Sequence, residues 1–171
     1  MQLMKFLNAM KGPMSSQWCV DASFAVHPDF RSHGRLVGKF KGGKGLIQCG
    51  LDKQKLNKDG STTAELVGTH QHPLKILFAP LFLSEQGCDV DVNEVMQDNK
   101  SAIPLEKNGK KSSRKRTRAL NARHFLIMDQ CQKGNLKIMH CPTDKMIADF
   151  MTKGFSREKF AKFHKEVMGM D

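Results

Sequence analysis

The stretch Trp18-Cys19-Val20-Asp21-Ala22-Ser23 decides the fold, because it is an apolar run of strand length that carries a carboxylate in its middle. An ionised carboxylate is costly to bury unless it is paired with a cation or binds a metal ion. The position of Asp21 within a predicted buried strand therefore requires an explanation beyond packing.

Two further strands are predicted directly after this stretch. Leu36–Phe40 and Leu46–Gln54 flank a connection that contains three glycines between positions 41 and 45. Three consecutive strands with short connections predict an antiparallel meander.

After the meander, predicted helices alternate with predicted strands. Ser61 or Thr62 is expected to cap the first helix, and Pro73 and Pro80 are expected to kink or interrupt it. In chain order, the predicted elements are a helix from Ala64, a strand at Asn93–Asn99, helices at Ser101–Glu106 and Thr117–Gln132, a strand at Leu136–Cys141, and helices at Lys145–Thr152 and Phe155–Met168. This order predicts an α/β domain, a mixed sheet with helices packed on its faces.

The composition indicates a polyanionic partner. Twenty-eight Lys and Arg residues against seventeen Asp and Glu residues give a net charge of +11, which favours nucleic acid.

The longest apolar stretch, Leu74–Leu83, contains Lys75 and is too short to span a bilayer, so no membrane partner is expected. The five cysteines form no CxxC pair, and no secretory signal is recognised. We expect an intracellular protein, cytoplasmic or nuclear and not secreted.

Four carboxylates stand on four separate predicted elements. Asp21 lies in a strand, Glu65 in the first helix, Asp98 at the exit of a strand and Asp149 on a short helix. Each acid alone is more often a cap, a turn former or a surface charge. Four that converge would repel one another without cations. Mg²⁺ prefers oxygen ligands, and two ions about 4 Å apart can stabilise a phosphodiester displacement.

Four stretches resemble, in order, the signatures of copia-type retrotransposon ribonuclease H domains: Trp18–Ser23, Ser61–Gly68, Gln97–Ile103 and Ile147–Lys153. The likeness covers roughly residues 18–168. The resemblance implies a ribonuclease H-like fold, a five-stranded mixed sheet flanked by helices, and hydrolysis of the RNA strand of RNA–DNA hybrids.

The same resemblance implies the site and the partners. Asp21, Glu65, Asp98 and Asp149 would be catalytic and would bind two Mg²⁺ ions, for which Mn²⁺ would substitute. Other parts of the element's Pol polyprotein, reverse transcriptase and integrase, would be partners. The predicted domain boundaries are an N-terminal extension at 1–14, the ribonuclease H-like domain at 15–153 and a C-terminal helical tail at 154–171.

A basic run at Lys107–Arg118 predicts contacts with the phosphates of the hybrid, or else a solvated loop or a nuclear-import signal. The polar neighbours of the acids, Ser23, Gln97 and Asn99, are candidates for contacts with 2′-hydroxyls. The candidate phosphate-binding residues are Lys110, Lys111, Arg114, Lys115, Arg116 and Arg118.

Several positions depart from the family pattern. Cys19 stands where the family usually has an aromatic residue, and Thr63 stands where it has a glutamate. Gly34-Arg35 occupies the place of a longer expected turn, and Pro73 and Pro80 interrupt a predicted helix. These departures predict a decaying copy. A catalytically inactive remnant that still binds nucleic acid, or an unstable product without function, therefore remains an alternative to an active nuclease.

Overall fold

A computed structural model of the protein describes residues 14–24, 28–30, 32–41, 43, 45–54, 60–108, 126–151 and 154–170. The basic run beyond Asn108 and the first part of the helix predicted at Thr117–Gln132 lie outside the described residues. The account below concerns the described ranges.

The centre of the protein is a five-stranded sheet with the order β3-β2-β1-β4-β5. Strands β1, β2 and β3 are antiparallel, whereas β4 is parallel to β1 and β5 is parallel to β4. The predicted meander and mixed sheet are therefore confirmed, with the Asp21 strand in the middle. The bounds are Met14–Ser23 for β1, His33–Phe40 for β2, Gln48–Lys53 for β3, Val90–Gln97 for β4 and Lys137–His140 for β5.

Five α-helices and two 3-10 helices are found among the described residues. The α-helices are α1 at Ser61–Gln71, α2 at Pro73–Glu85, α3 at Ala102–Asn108, α4 at Leu126–Gln132 and α5 at Arg157–Met168. The 3-10 helices are Thr143–Lys145 and Ile147–Met151, in the region where the sequence predicted one amphipathic helix.

Pro73 divides the first predicted helix as expected, whereas α2 continues through Pro80, and the N-cap of the first helix differs from the prediction. The chain breaks at His72, and Pro73 begins α2, where the missing N–H costs nothing. Gly60 is the N-cap of α1, without a side-chain hydrogen bond. The predicted caps were wrong because the helix begins three residues early, which places Ser61 and Thr62 inside its first turn.

The two faces of the sheet bury two separate apolar clusters, because successive side chains of a strand point to opposite faces. Trp18 and Val20 of β1 pack with Ile76 of α2 and Ile127 of α4. Cys19 lies on the opposite face, in a cluster completed by the Ile147–Met151 helix and by Phe163 of α5.

The described residues contain no helix that is both long enough and apolar enough to cross a membrane.

Candidate metal centre

Three of the four predicted acids meet at one edge of the sheet. Asp21, Glu65 and Asp98 each offer a carboxylate oxygen, and these oxygens lie within 4.8 Å of one another. The topology explains the meeting: β1 and β4 are parallel and paired at Cys19 and Met96, so the residues two positions further along are neighbours. Helix α1 packs on β1 and brings Glu65 to the same place.

Glu65 is the acid most strongly affected by this environment. Its pKa is raised to about 9, first because burial disfavours the charged form and then because the carboxylates of Asp21 and Asp98 are close. A hydrogen bond with the backbone of Ala22 opposes the rise. The Oε2 atom of Glu65 is buried and has no hydrogen-bond partner within the described ranges. A cation between the three acids would stabilise the charged form of Glu65.

Asp98 is the most exposed of the three acids. Asp21 is 3% and Glu65 6% exposed, whereas Asp98 is half-buried. The Thr143 hydroxyl donates a hydrogen bond to Oδ2 of Asp98, at 3.3 Å. Asp98 therefore lies where the cluster opens to solvent, the side from which a ligand would enter.

Asp149 is not a member of this group of three but is linked to it through Arg35. The Nη1 atom of Arg35 donates to Oδ2 of Asp21 and lies 3.9 Å from Oδ1 of Asp149. Both side chains are buried, Arg35 on β2 and Asp149 on the Ile147–Met151 helix. The site thus contains four acids and one arginine.

Arg35 was not identified as a site residue from the sequence. The sequence pattern placed Arg35 in an expected turn. In the structure Arg35 instead lies within β2, in a hairpin of regular register and directly opposite Asp21. Residues directly opposite on antiparallel strands lie close enough to interact. The register of β1 against β2, had it been known, would have placed the arginine beside the acid.

The residues present at this site fit a hard divalent cation. Three carboxylate oxygens at mutual ligand distance, a buried oxygen of Glu65 without a described partner and a strongly raised pKa all favour a positive charge between them. Oxygen ligands of this kind are those that Mg²⁺ takes in proteins.

The residues predicted to contact nucleic acid differ in their burial. Ser23 ends β1 and is half-buried, and Asn99 accepts hydrogen bonds from the backbone of Ser101 and Ala102 at the start of α3. Gln97 is fully buried and accepts from the backbone N–H of Asn99 at 3.0 Å. Its side chain is inside the protein, so a direct contact with a duplex is not compatible with this position. The candidates Lys110, Lys111, Arg114, Lys115, Arg116 and Arg118 lie outside the described residues.

A five-stranded mixed sheet of this order agrees with the ribonuclease H-like α/β fold that the four motifs imply. Over 152 residues the chain is 32% identical to the "Retrovirus-related Pol polyprotein from transposon TNT 1-94" of Nicotiana tabacum. The match covers 88% of this chain and 11% of that protein, so the chain spans about a tenth of the relative's length. The sequence similarity and the fold fit a retrotransposon ribonuclease H domain, as the four motifs predicted.

No protein-family model matches the sequence. Among solved structures, the N-terminal RNase H domain of a Mycobacterium tuberculosis protein, fused to maltose-binding protein, has a TM-score of 0.48 at 10% identity, covering 89% of this chain and 97% of that chain. The RNase H domain of PFV has a TM-score of 0.49 at 13% identity, covering 92% and 93%. Neither likeness assigns a role to a residue of this chain.

Proposed function

We propose that this chain is a metal-dependent endonuclease that hydrolyses the RNA strand of RNA–DNA hybrids, as a segment of a copia-type Pol polyprotein. The observation that carries the proposal is the meeting of Asp21, Glu65 and Asp98 within ligand distance at the end of the central strand. Burial and the neighbouring carboxylates make the charged form of Glu65 unfavourable, and a cation held by Glu65 and Asp98 beside Asp21 would offset that cost, which favours a metal-binding role for the cluster.

Asp21, Glu65 and Asp98 would hold the ion, with Mg²⁺ as the natural occupant and Mn²⁺ as its substitute. When bound, such an ion supplies Lewis-acid stabilisation of charge on phosphate oxygens. Because burial and the nearby carboxylates raise the pKa of Glu65 to about 9, the Glu65 carboxyl would release a proton on binding a cation. Asp98, half-buried at the opening, is the acid nearest to an incoming phosphate.

Binding of the hybrid would involve residues around this opening. Ser23 ends β1 and Asn99 lies two residues beyond the end of β4, and both would contact 2′-hydroxyls of the hybrid. Gln97 would act indirectly, since it holds the backbone of Asn99 in place. The basic residues beyond Asn108 would hold phosphates further along the duplex.

A second candidate function is favoured by Arg35. A guanidinium that already neutralises Asp21 reduces the demand for a metal ion, which is what a catalytically inactive, nucleic-acid-binding remnant would show. Such a protein would bind hybrids in a salt-sensitive manner without hydrolysing them. In either case, reverse transcriptase and integrase from the same polyprotein are the proposed partners, and an intracellular location is proposed.

The Asp98→Asn variant tests the assignment of the site. Asn keeps the size of the side chain but removes the charge that would bind the cation, so Mg²⁺-dependent cleavage of a labelled RNA strand should fall at least about 100-fold. Asp91→Asn is the matched control, because Asp91 is an exposed acid on β4, the strand that directly precedes Asp98. It should cleave like the unmodified chain. Undiminished cleavage by a folded Asp98→Asn protein would reject the assigned site.

A further inference from the structure

The guanidinium of Arg35 lies among the carboxylates that the sequence assigned to two metal ions. We propose that Arg35 takes the place of one divalent ion, so that the site binds a single ion, at Asp21, Glu65 and Asp98. This inference rests on the proposed function, because it concerns the ions that the nuclease would use.

The geometry places Arg35 between two of the acids. Its Nη1 atom contacts Oδ2 of Asp21 and lies 3.9 Å from Oδ1 of Asp149. Asp149 is the acid that does not join the group of three. Arg35 therefore interacts with two of the four carboxylates that the family resemblance assigns to two ions, Asp21 and Asp149.

The arginine is held inside the protein. Its side chain is 3% exposed, and its Nε atom has no hydrogen-bond partner in the described part of the chain. A guanidinium does not lose its proton in proteins. A buried, permanently charged group depends on its carboxylate neighbours and would be costly to displace.

Electrostatics makes a second ion at this position unfavourable. An ion bound by Asp21 and Asp149 would share both carboxylates with Arg35, and like charges at such short range repel strongly in a buried environment. Glu65 belongs to α1 and Asp98 follows β4, and within the described residues Arg35 forms its ion pairs with Asp21 and Asp149 and with neither of these two acids. One ion can therefore bind beside the arginine, whereas the position next to Asp149 is taken.

Counting bound Mn²⁺ tests this inference without measuring activity. The metal-free, full-length chain is titrated with Mn²⁺ alone, and the bound ions per protein are determined by electron paramagnetic resonance. We expect one ion for the unmodified chain and two for Arg35→Met, with the first ion bound at least about tenfold more tightly in the variant because a nearby positive charge is lost. Arg35→Met combined with Asp149→Asn should return the count to one.

Lys39→Met is the matched control, because it removes a positive charge from the same strand at a site paired with Glu166. It should still bind one ion. Two ions on the unmodified chain, or one ion on a folded Arg35→Met protein, would overturn the inference and leave the nuclease proposal standing. No bound ion on the unmodified chain would contradict the proposed function as well. If Arg35→Met does not fold, the count for the unmodified chain still decides the inference.

Discussion

Glu106 shows how one residue links the core to the site. It is fully buried, accepts a hydrogen bond from the Thr69 hydroxyl at 2.6 Å and is also contacted by Gln97. Burial raises the pKa of Glu106 to about 7, although the hydrogen bonds with Thr69 and Gln97 oppose the rise. Since Gln97 in turn holds the backbone of Asn99, Glu106 supports the segment that carries Asp98.

The Glu106→Gln variant should lose a pH dependence of stability. The pKa of Glu106 is about 7 in the folded state against an ordinary 4.5, so the folded state binds the proton more tightly. The protonated carboxyl makes its full contribution to the free energy of unfolding below about pH 4.5. This contribution, at most about 3 kcal/mol, is lost as the pH rises from about 4.5 to about 7. Gln remains neutral and keeps an acceptor for Thr69. Urea unfolding in EDTA at pH 5 and pH 8 should therefore show a smaller difference for Glu106→Gln.

Glu85→Gln is the control for this comparison, because Glu85 is exposed at the end of α2. Its pH dependence should match that of the unmodified chain. The assignment would be wrong if Glu106→Gln and the unmodified chain lost the same free energy of unfolding between the two pH values.

At the residue scale, the motifs predicted the acids of the site but not the residues that contact them. Asp21, Glu65 and Asp98 come together as the family resemblance implied, because the sequence carries the motifs in the right order. The position of Arg35 beside Asp21 depends on the register between two strands, which alternation within one strand does not determine. The burial of Gln97 depends on the packing of α3 against the sheet, which is a tertiary property.

Helix α2 shows how neighbouring elements compensate for a local defect. Pro80 lies inside the helix without ending it, although proline lacks the N–H that would bind the carbonyl of Ile76. The side-chain amide of Asn93 on β4 donates to that carbonyl instead, at 3.3 Å. Asn93 also accepts from the indole N–H of Trp18 and from the Ser16 hydroxyl, each at 2.8 Å. One side chain thus joins α2, β1 and β4.

Asn93→Ala should destabilise the protein by about 2–3 kcal/mol, since it leaves buried partners on three elements unsatisfied. In a Pro80→Ala background the helix supplies its own N–H to Ile76, so the cost of Asn93→Ala should be smaller by about 1 kcal/mol. Urea unfolding of the four proteins measures this coupling. Strictly additive effects would show that Asn93 does not compensate for the proline.

At the element scale, the sequence patterns predict the meander and the mixed sheet but not the effect of Pro80. The meander and the later strands were predicted from short apolar runs bounded by turn-forming residues, and the break at Pro73 from the missing N–H of proline. An interruption was also expected at Pro80, yet α2 continues to Glu85. The reason is a side chain on a distant strand, and the local sequence carries no information about it.

The whole molecule carries a net charge of +11, while the candidate centre is acidic. This separation fits a protein that attracts a polyanion through its overall charge and groups three carboxylates where a cation would bind. Binding of a hybrid should therefore weaken steeply as salt rises.

Replacement of Lys110, Lys111 and Arg114 by Gln should reduce that salt dependence. The slope of log K against log salt should fall by about 1 for each phosphate contact that is lost. Fluorescence anisotropy with a labelled RNA–DNA hybrid at several salt concentrations measures the slope. A control with Lys133, Lys137 and Lys165 replaced removes the same charge from exposed positions elsewhere. An equal reduction in both variants would contradict a specific role of the basic run.

Strand-specific cleavage by the unmodified chain tests the central claim most directly. A hybrid labelled on its RNA strand or on its DNA strand is incubated with the folded protein, in Mg²⁺ or in EDTA. The proposed function predicts cleavage of the RNA strand in Mg²⁺ alone, with the DNA strand intact. Absence of cleavage by a protein that unfolds cooperatively and binds the hybrid, or equal cleavage of both strands, would contradict it.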